Sequence, residues 1–462
     1  MTTRLSDTIR IWAISTAAPA DTTLFFATLL VVSMAVSPFL LAMAMWGLVV
    51  TAFWQVVRET PRGPERRWWR ILVRSFRNLF HQPACSALLL LLLVPVASGL
   101  WSEDHAYWLE RVRVRLPFLV LPWVFANLPR LGERRHRLLL YILVWAMAVM
   151  CVGVAINFFL HETEIMHAMY QGRPMPVPRN HIRFSLMVAT SVLAGAWLWQ
   201  NRFFWRYAGE RMALAVVVVF LFGFAHFLAV RSGLIALYAA LFFLAVRWAW
   251  RSRRWGVALA AGLAAVCLFW GAVRTVPSLR QKWAYTVYDW QQYRQGAGAT
   301  YSDSERWISM KSGWLIWQEH PWIGVGTGDL PKETEKTLTQ YFPRYQGAPK
   351  LPHNQFLYLL AGTGLSGLCF SLFAFLYPVF AHRDKRALFY AFQVMVLASF
   401  LVEYTIETAM GVAWYLFFTL WLGGSVRDIK AFFKPTPAQT APHPKSAAPR
   451  RSLFAKATRG AG

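Results

Sequence analysis

The stretch LPHNQFLYLLAGTGLSGLCF, Leu351 to Phe370, sets one histidine and one asparagine, His353 and Asn354, on the leading edge of an apolar run. About twenty such residues in a helix cross the hydrocarbon layer of a bilayer. Runs of this kind recur through all 462 residues, of which 56% are hydrophobic and 16% aromatic. In lipid every backbone N–H and C=O must be satisfied within its own segment or barrel, so long apolar runs imply helices. The fold class is therefore all-α, a polytopic integral membrane protein. A net charge of +26 would suit a nucleic-acid partner. The Lys and Arg residues instead sit mostly in short segments between apolar runs, where they read as topology signals, so no nucleic acid is expected. All four cysteines (Cys85, Cys151, Cys267, Cys369) lie in or beside apolar segments without CxxC spacing. Neither a disulfide nor a metal site is expected from them.

Span counting gives about twelve transmembrane helices, centred near residues 29, 47, 93, 122, 149, 191, 220, 240, 265, 367, 398 and 419. The first pair is joined only by Ser37-Pro38, and the fourth, LPFLVLPWVFANL, is short and interrupted by prolines. With the N-terminus inside, the inner connections are RETPRGPERRWWRILVRSFRNLF, PRLGERRHR, NRFFWRYAGER, RWAWRSRRW, HRDKR and the basic tail. Each is rich in Arg or Lys, as the positive-inside rule requires, which places both termini in the cytoplasm. The N-terminal MTTRLSDTIRIWAIS has no short apolar core before a small-residue cleavage site and reads as uncleaved. The domain organisation expected is transmembrane helices 1 to 9 over residues 1–274, one large outer loop with amphipathic helices over 275–352, helices 10 to 12 over 353–430, and a disordered basic tail over 431–462.

The outer face then holds SEDHAYWLERVRVR, the loop ending in PRNHIRF, the turn at Arg231, the large loop and the turn near Glu407. Within the large loop, SDSERWISMKSGWLIWQEH has Trp307, Met310, Trp314, Ile316 and Trp317 near helical spacing, which predicts an amphipathic helix lying at the interface. Pro321 ends it. WIGVGTGDL then reads as a tight glycine turn, since it lacks the strand and the Lys-Ser/Thr of a phosphate loop. Arg231, Arg306, Arg183 and the nearby Arg179 stand on the side where positive charge is disfavoured. Each alone could be an interfacial snorkelling residue. Together they suggest a site for an anion, because guanidinium groups grip diphosphate by paired hydrogen bonds. Glu403 and Glu407, four residues apart near the outer end of one helix, read as ion-pair partners for these arginines. The other outward histidines, including His181, read as solvated, and His353 stands out by its place at the junction of loop and helix.

His353-Asn354, nine residues, Gly364, two residues and Gly367 resemble the signature of the O-antigen ligase family, within the superfamily that includes O-antigen polymerases and protein O-oligosaccharyltransferases. RWISMKSGWLIWQEHPWIGVGTGDL resembles the block before the signature histidine, in which an arginine is followed by a helix and a Pro-x-x-Gly-x-Gly turn. The resemblance implies His353, Arg231 and Arg306 as catalytic positions, with Arg183, Arg231 and Arg306 on the substrate diphosphate. Asn354, Arg179, Glu403 and Glu407 are supporting candidates, and Gly364 and Gly367 are expected to be structural, admitting a neighbouring helix at mid-membrane.

In that family the donor is undecaprenyl-diphosphate-linked O-antigen and the acceptor a sugar hydroxyl of lipid A-core. Transfer occurs on the periplasmic side of the bacterial inner membrane, without cofactor, nucleotide or metal, and with inversion. The residues suit this chemistry: arginines stabilise the leaving diphosphate, and an imidazole near its ordinary pKa of about 6.5 deprotonates the hydroxyl. Two alternatives stay open. A polymerase or protein O-oligosaccharyltransferase would use the same donor with another acceptor. A transporter of lipid-linked sugars would show paired halves, and no internal repeat is visible.

Overall fold

The computed structural model describes residues 19–61, 67–129, 131–171, 173–201, 208–294, 302–345, 347–381 and 386–424. The N-terminal segment, the basic tail expected to be disordered and parts of several connections, including 295–301 of the large loop, lie outside them. The described residues fold as helices, with no strand among them. In chain order these are α1 (Pro19–Val36), α2 (Pro38–Glu59), α3 (Trp68–Phe80), α4 (Pro83–Leu88), α5 (Leu90–Ser98), α6 (His105–Arg115), α7 (Pro117–Asn127), α8 (Glu133–Leu160), α9 (Glu162–Tyr170) and α10 (His181–Gln200). There follow α11 (Ala208–Phe227), α12 (Arg231–Ser252), α13 (Trp255–Thr275), α14 (Pro277–Arg294), α15 (Ser302–Glu319), α16 (Leu330–Tyr341), α17 (Gln355–Phe380), α18 (Ala387–Val402) and α19 (Ala409–Gly424).

Every predicted span centre falls inside one of these helices. By length and apolarity, 7 helices among the described residues can cross a membrane, or 8 counting a pair bent by 87°, α3 with α4 and α5. The shorter apolar helices α1, α18 and α19 fail that test on length. Ser37 explains how α1 and α2 adjoin so closely: its backbone is extended, its side chain caps Leu40 N, and Pro38 opens α2. The fourth span differs from expectation. SEDHAYWLERVRVR is not an open outer loop, because from His105 it forms α6, which meets α7 through the helical residue Leu116. Charged residues in α6 hid this continuity, and one of them, Arg115, is among the most deeply buried side chains in the bundle.

The large loop folds as α14, α15 and α16. Its α15 corrects the expected amphipathic pattern. Trp307 and Trp314 are exposed, whereas Ser304, Ile308, Ser309, Ser312 and Ile316 are buried. The protein-facing stripe is made of small residues because another chain segment crosses it closely: a Cβ at Gly313 would lie 2.5 Å from the Pro352 ring.

Of the signature glycines, Gly367 packs as expected, since a Cβ there would lie 3.0 Å from Val94 of α5, whereas Gly364 acts differently. Gly364 has φ 65 and ψ −170, which breaks α17 in the middle. The glycine turn of the large loop fills the break. Val325 N donates to Ala361 O at 3.0 Å, Gly326 N to Gly362 O at 2.9 Å, Leu365 N to Pro321 O at 2.8 Å and Ser366 N to Trp322 O at 3.1 Å. Backbone groups freed by the break are thus satisfied by the turn, as a buried backbone requires. On the other side of the turn, Thr327 N donates to Ser98 Oγ and Gly328 N to Ser102 Oγ. Four consecutive amides of GVGTG are therefore occupied by the protein itself, which fits a structural turn and leaves no cradle for phosphate.

A Cβ at Gly364 would sit 2.3 Å from the Trp322 carbonyl, and its positive φ strains any other residue. Gly362 has nothing nearer than 3.8 Å. Gly364→Ala is therefore expected to destabilise by about 2–4 kcal/mol and Gly362→Ala by under about 1 kcal/mol, read as thermal midpoints of the purified protein in one detergent.

Candidate active site

The chain turns from α11 into α12 within three residues, using Ala229 at φ 54 and extended Val230. This places Arg231 on the first turn of α12, facing α14 and α15. Its guanidinium grips the Asp303 carboxylate with both terminal nitrogens and donates to Thr286 Oγ1 at 2.7 Å. Asp303 is itself held by α14: Asp289 Oδ2 accepts from the amides of Asp303 (2.6 Å) and Ser304 (3.2 Å). Burial opposes ionisation of Asp303, but the Arg231 hydrogen bonds and charge outweigh it and hold the carboxyl below its usual range.

Three residues further along α15, Arg306 pairs with Glu403 at 2.7 Å. Ser309, one turn beyond Arg306, holds His353. Its Oγ donates to Arg306 O at 2.8 Å, lies 3.2 Å from His353 Nδ1 and accepts from His353 N at 3.3 Å. With the Ser309 proton on Arg306 O, its oxygen is free to accept from Nδ1–H, the tautomer that leaves Nε2 as the basic nitrogen. Tyr404 packs edge-on against the imidazole, 5.1 Å between centroids.

His353, Arg231 and Arg306 line one cavity of about 240 Å³, together with His181, Lys282 and Lys350. The carboxylates paired with its cations, Asp303, Glu403 and Glu305, are not among the lining residues. The lining is thus rich in positive charge, with the Arg231 guanidinium held in place by Asp303 and Thr286. Burial, then the Arg231 charge, pushes Lys282 below the ordinary lysine range. Burial, then the charges of Arg306 and Lys350, pushes His353 from 6.5 down to about 3. The unloaded site thus corrects the expectation of an imidazole near its ordinary pKa: it is neutral at pH 7 but a weak base.

The remaining sequence candidates divide by place. Arg183 is buried, with Nη2 donating to Tyr404 O at 3.3 Å, and does not line the cavity. Arg179 is exposed and does not line it. Asn354 caps α17, accepting from Phe356 N and Leu357 N, and ties it to Leu401 O at 2.9 Å. Glu403 and Glu407 do not share a helical turn, because α18 ends at Val402, Glu403 is extended, and Glu407 closes a short 3-10 turn. Both meet arginines. The partner of Glu407, however, is Arg115, with Gln355 Nε2 donating to the same carboxylate at 2.8 Å. Lys282, Lys350, Ser309 and Arg115 escaped the sequence reading. Isolated lysines and serines in a long loop carry no periodic signal, and Arg115 stands among other arginines in VRVR. His181 was read as merely solvated.

Residues 227–372 match the family model described as O-antigen ligase. That segment is similar to O-antigen ligases. Members of that family are glycosyltransferase-like enzymes acting on lipid-linked glycans. The matched segment runs from the end of α11 to beyond the break in α17, and so encloses Arg231, Arg306, Ser309, His353 and both interlocked glycine stretches. Arg183, Glu403, Glu407 and Arg115 lie outside it. No curated protein matches the chain.

Removing one member of a buried ion pair strands a charge, whereas replacing both by apolar groups does not. Glu407→Ala or Arg115→Ala alone is expected to cost about 3–5 kcal/mol. The double variant Arg115→Met with Glu407→Leu is expected to regain most of that loss in the same thermal unfolding assay.

Proposed function

We propose that this protein is an O-antigen ligase that moves O-antigen from undecaprenyl diphosphate to lipid A-core on the periplasmic face of the bacterial inner membrane. The observation that carries the reading is the convergence of Arg231, Arg306, Lys282 and Lys350 with His353 on one cavity. A donor diphosphate entering there meets fixed guanidinium groups, already oriented by Asp303 and Glu403, so little reorganisation is needed as charge develops on the leaving group. The acceptor hydroxyl loses its proton to His353 Nε2 as its oxygen bonds to the anomeric carbon. The bond from that carbon to the diphosphate oxygen breaks on the opposite face, and the sugar inverts.

The donor also strengthens the base. Burial keeps the imidazole neutral, but the diphosphate offsets the Arg306 and Lys350 charges that lower its proton affinity. Before donor binding, the neutral histidine adds no further positive repulsion to the cationic wall and presents a free lone pair. Among the described residues no cluster of three His, Cys, Asp or Glu has the geometry to hold a metal. The arginines and lysines are the groups assigned to the diphosphate.

Reconstitution with polyprenyl-diphosphate glycan and either lipid A-core or an acceptor protein tests the reading. Glycan gained by lipid A-core supports it; glycan gained only by protein, or chains lengthened on the carrier, overturns the ligase assignment. In the same assay His353→Ala is expected to lose roughly 10²–10⁴-fold in rate while donor binding persists, and Arg231→Lys to rescue poorly because a single ammonium cannot replace the fork. Transfer is expected to survive EDTA.

The acid limb of kcat/KM, which reports the free enzyme, is expected far below the 6.5 of an unperturbed imidazole. That of kcat, measured at saturating donor, is expected at higher pH than the kcat/KM limb. Coincident limbs near pH 6.5 would overturn the lowered proton affinity and its donor-dependent recovery.

A further inference from the structure

At the end of the bundle remote from His353, α3 carries three distinct faces. Ile71, Ser75 and Leu79 are buried against the protein, Asn78 Nδ2 donates to Asn127 Oδ1 at 2.9 Å, and Trp123 Nε1 donates to Ser75 Oγ at 3.2 Å. Trp69, Leu72, Val73, Phe76 and Phe80 form a second, exposed apolar stripe, with Trp68 beside it at 72% exposure. The third face holds Arg70, Arg74 and Arg77 at the spacing i, i+4, i+7. Arg74 donates to Glu59 O at 3.0 Å, Arg70 lies over the Trp69 ring, and Arg77 borders a groove with Leu72, Val73, Phe76, Phe80 and His81.

The orientation of α3 follows from its neighbour. The α4–α5 segment rises from Gln82, tied to Ala126 O, to Ser98, tied to Thr327 in the glycine turn beneath the large loop. Its sixteen residues span about 24 Å; with that segment crossing the membrane, the 87° bend at its foot turns α3 towards the membrane plane. An apolar stripe of that size is unfavourable in water, and an in-plane helix with arginines flanking its apolar face sits at the depth of phospholipid phosphates.

We propose that α3 is a binding site for anionic phospholipid, with acyl chains along Leu72, Val73, Phe76 and Phe80 and the headgroup phosphate held by Arg70, Arg74 and Arg77. The charge of the third face favours anionic over zwitterionic headgroups, and the bilayer that surrounds the bundle supplies the occupant. The site is independent of the glycan-transfer reading, since none of its residues lines the His353 cavity.

The full-length protein purified in neutral detergent, exposed to mixed micelles of phosphatidylglycerol and phosphatidylcholine, tests this by native mass spectrometry of retained lipid. Wild type and the Arg70→Lys/Arg74→Lys/Arg77→Lys variant are expected to retain phosphatidylglycerol selectively. The corresponding triple Gln variant, eluting as wild type in size exclusion, is expected to lose affinity roughly a hundredfold, from about fivefold per arginine. Equal retention by the Gln variant overturns the proposal. So does displacement of the lipid by millimolar inorganic phosphate, which would mark a soluble-anion site. A wild-type dimer that the Gln variant converts to monomer overturns it too, since a second copy would then cover the face.

Discussion

Two carboxylates in the break between α18 and α19 hold the outer end of this molecule together. Glu403 takes Arg306 from the large loop, and Glu407 takes Arg115 from α6 and Gln355 from the start of α17. Around them, the Tyr404 carbonyl receives Arg183, the Leu401 carbonyl receives Asn354, and the Glu407 carbonyl receives Arg111. Such a cluster is costly to bury, and ion pairs of this kind need not add net stability over apolar packing. Their consequence is geometric. Helices far apart in sequence have their ends fixed on one short segment, and Tyr404 in that segment touches His353.

The second constraint is the interlock of the glycine turn with the broken α17. A membrane helix interrupted at mid-length must find partners for its freed carbonyl and amide groups, and here the large loop supplies them. The loop is thereby anchored at the helix whose first turn follows His353, while α15 crosses the LPHN segment at Gly313 and Ser309. Arg306 and Ser309 are a turn apart on one helix, so the cation and the residue that contacts His353 share one support. This arrangement places the site on helices rather than on free loop, which is what a preorganised charge-stabilising site requires.

Burial gives the cavity an electrostatic character that single residues do not have. The same cations that suit an anion lower the proton affinity of His353, and carboxylates outside the cavity lining pair with them. An anion bound there would offset those charges and raise the proton affinity of the imidazole. Elsewhere, α3 sets exposed tryptophans and an apolar stripe beside three arginines.

Much was legible in the chain itself. Apolar runs of membrane length specify helices because lipid offers the backbone no other partner, and the spacing from His353 to Gly364 and Gly367 carries the family resemblance that the match over residues 227–372 bears out. Arg231, Arg306 and His353 were identifiable because each breaks a local rule, a charge or a histidine where apolar or uncharged residues belong. Tertiary structure alone decided the rest. Lys282, Lys350 and Ser309 obey local rules and acquire meaning only from their neighbours. Gly364 turned out to break a helix because the residue it must accommodate, Trp322, lies on another segment. Arg115 is buried because Glu407, 292 positions away, neutralises it. Local sequence encodes which segments are helical and apolar; pairing across the chain encodes which charges can be buried, and so where the site's geometry is held.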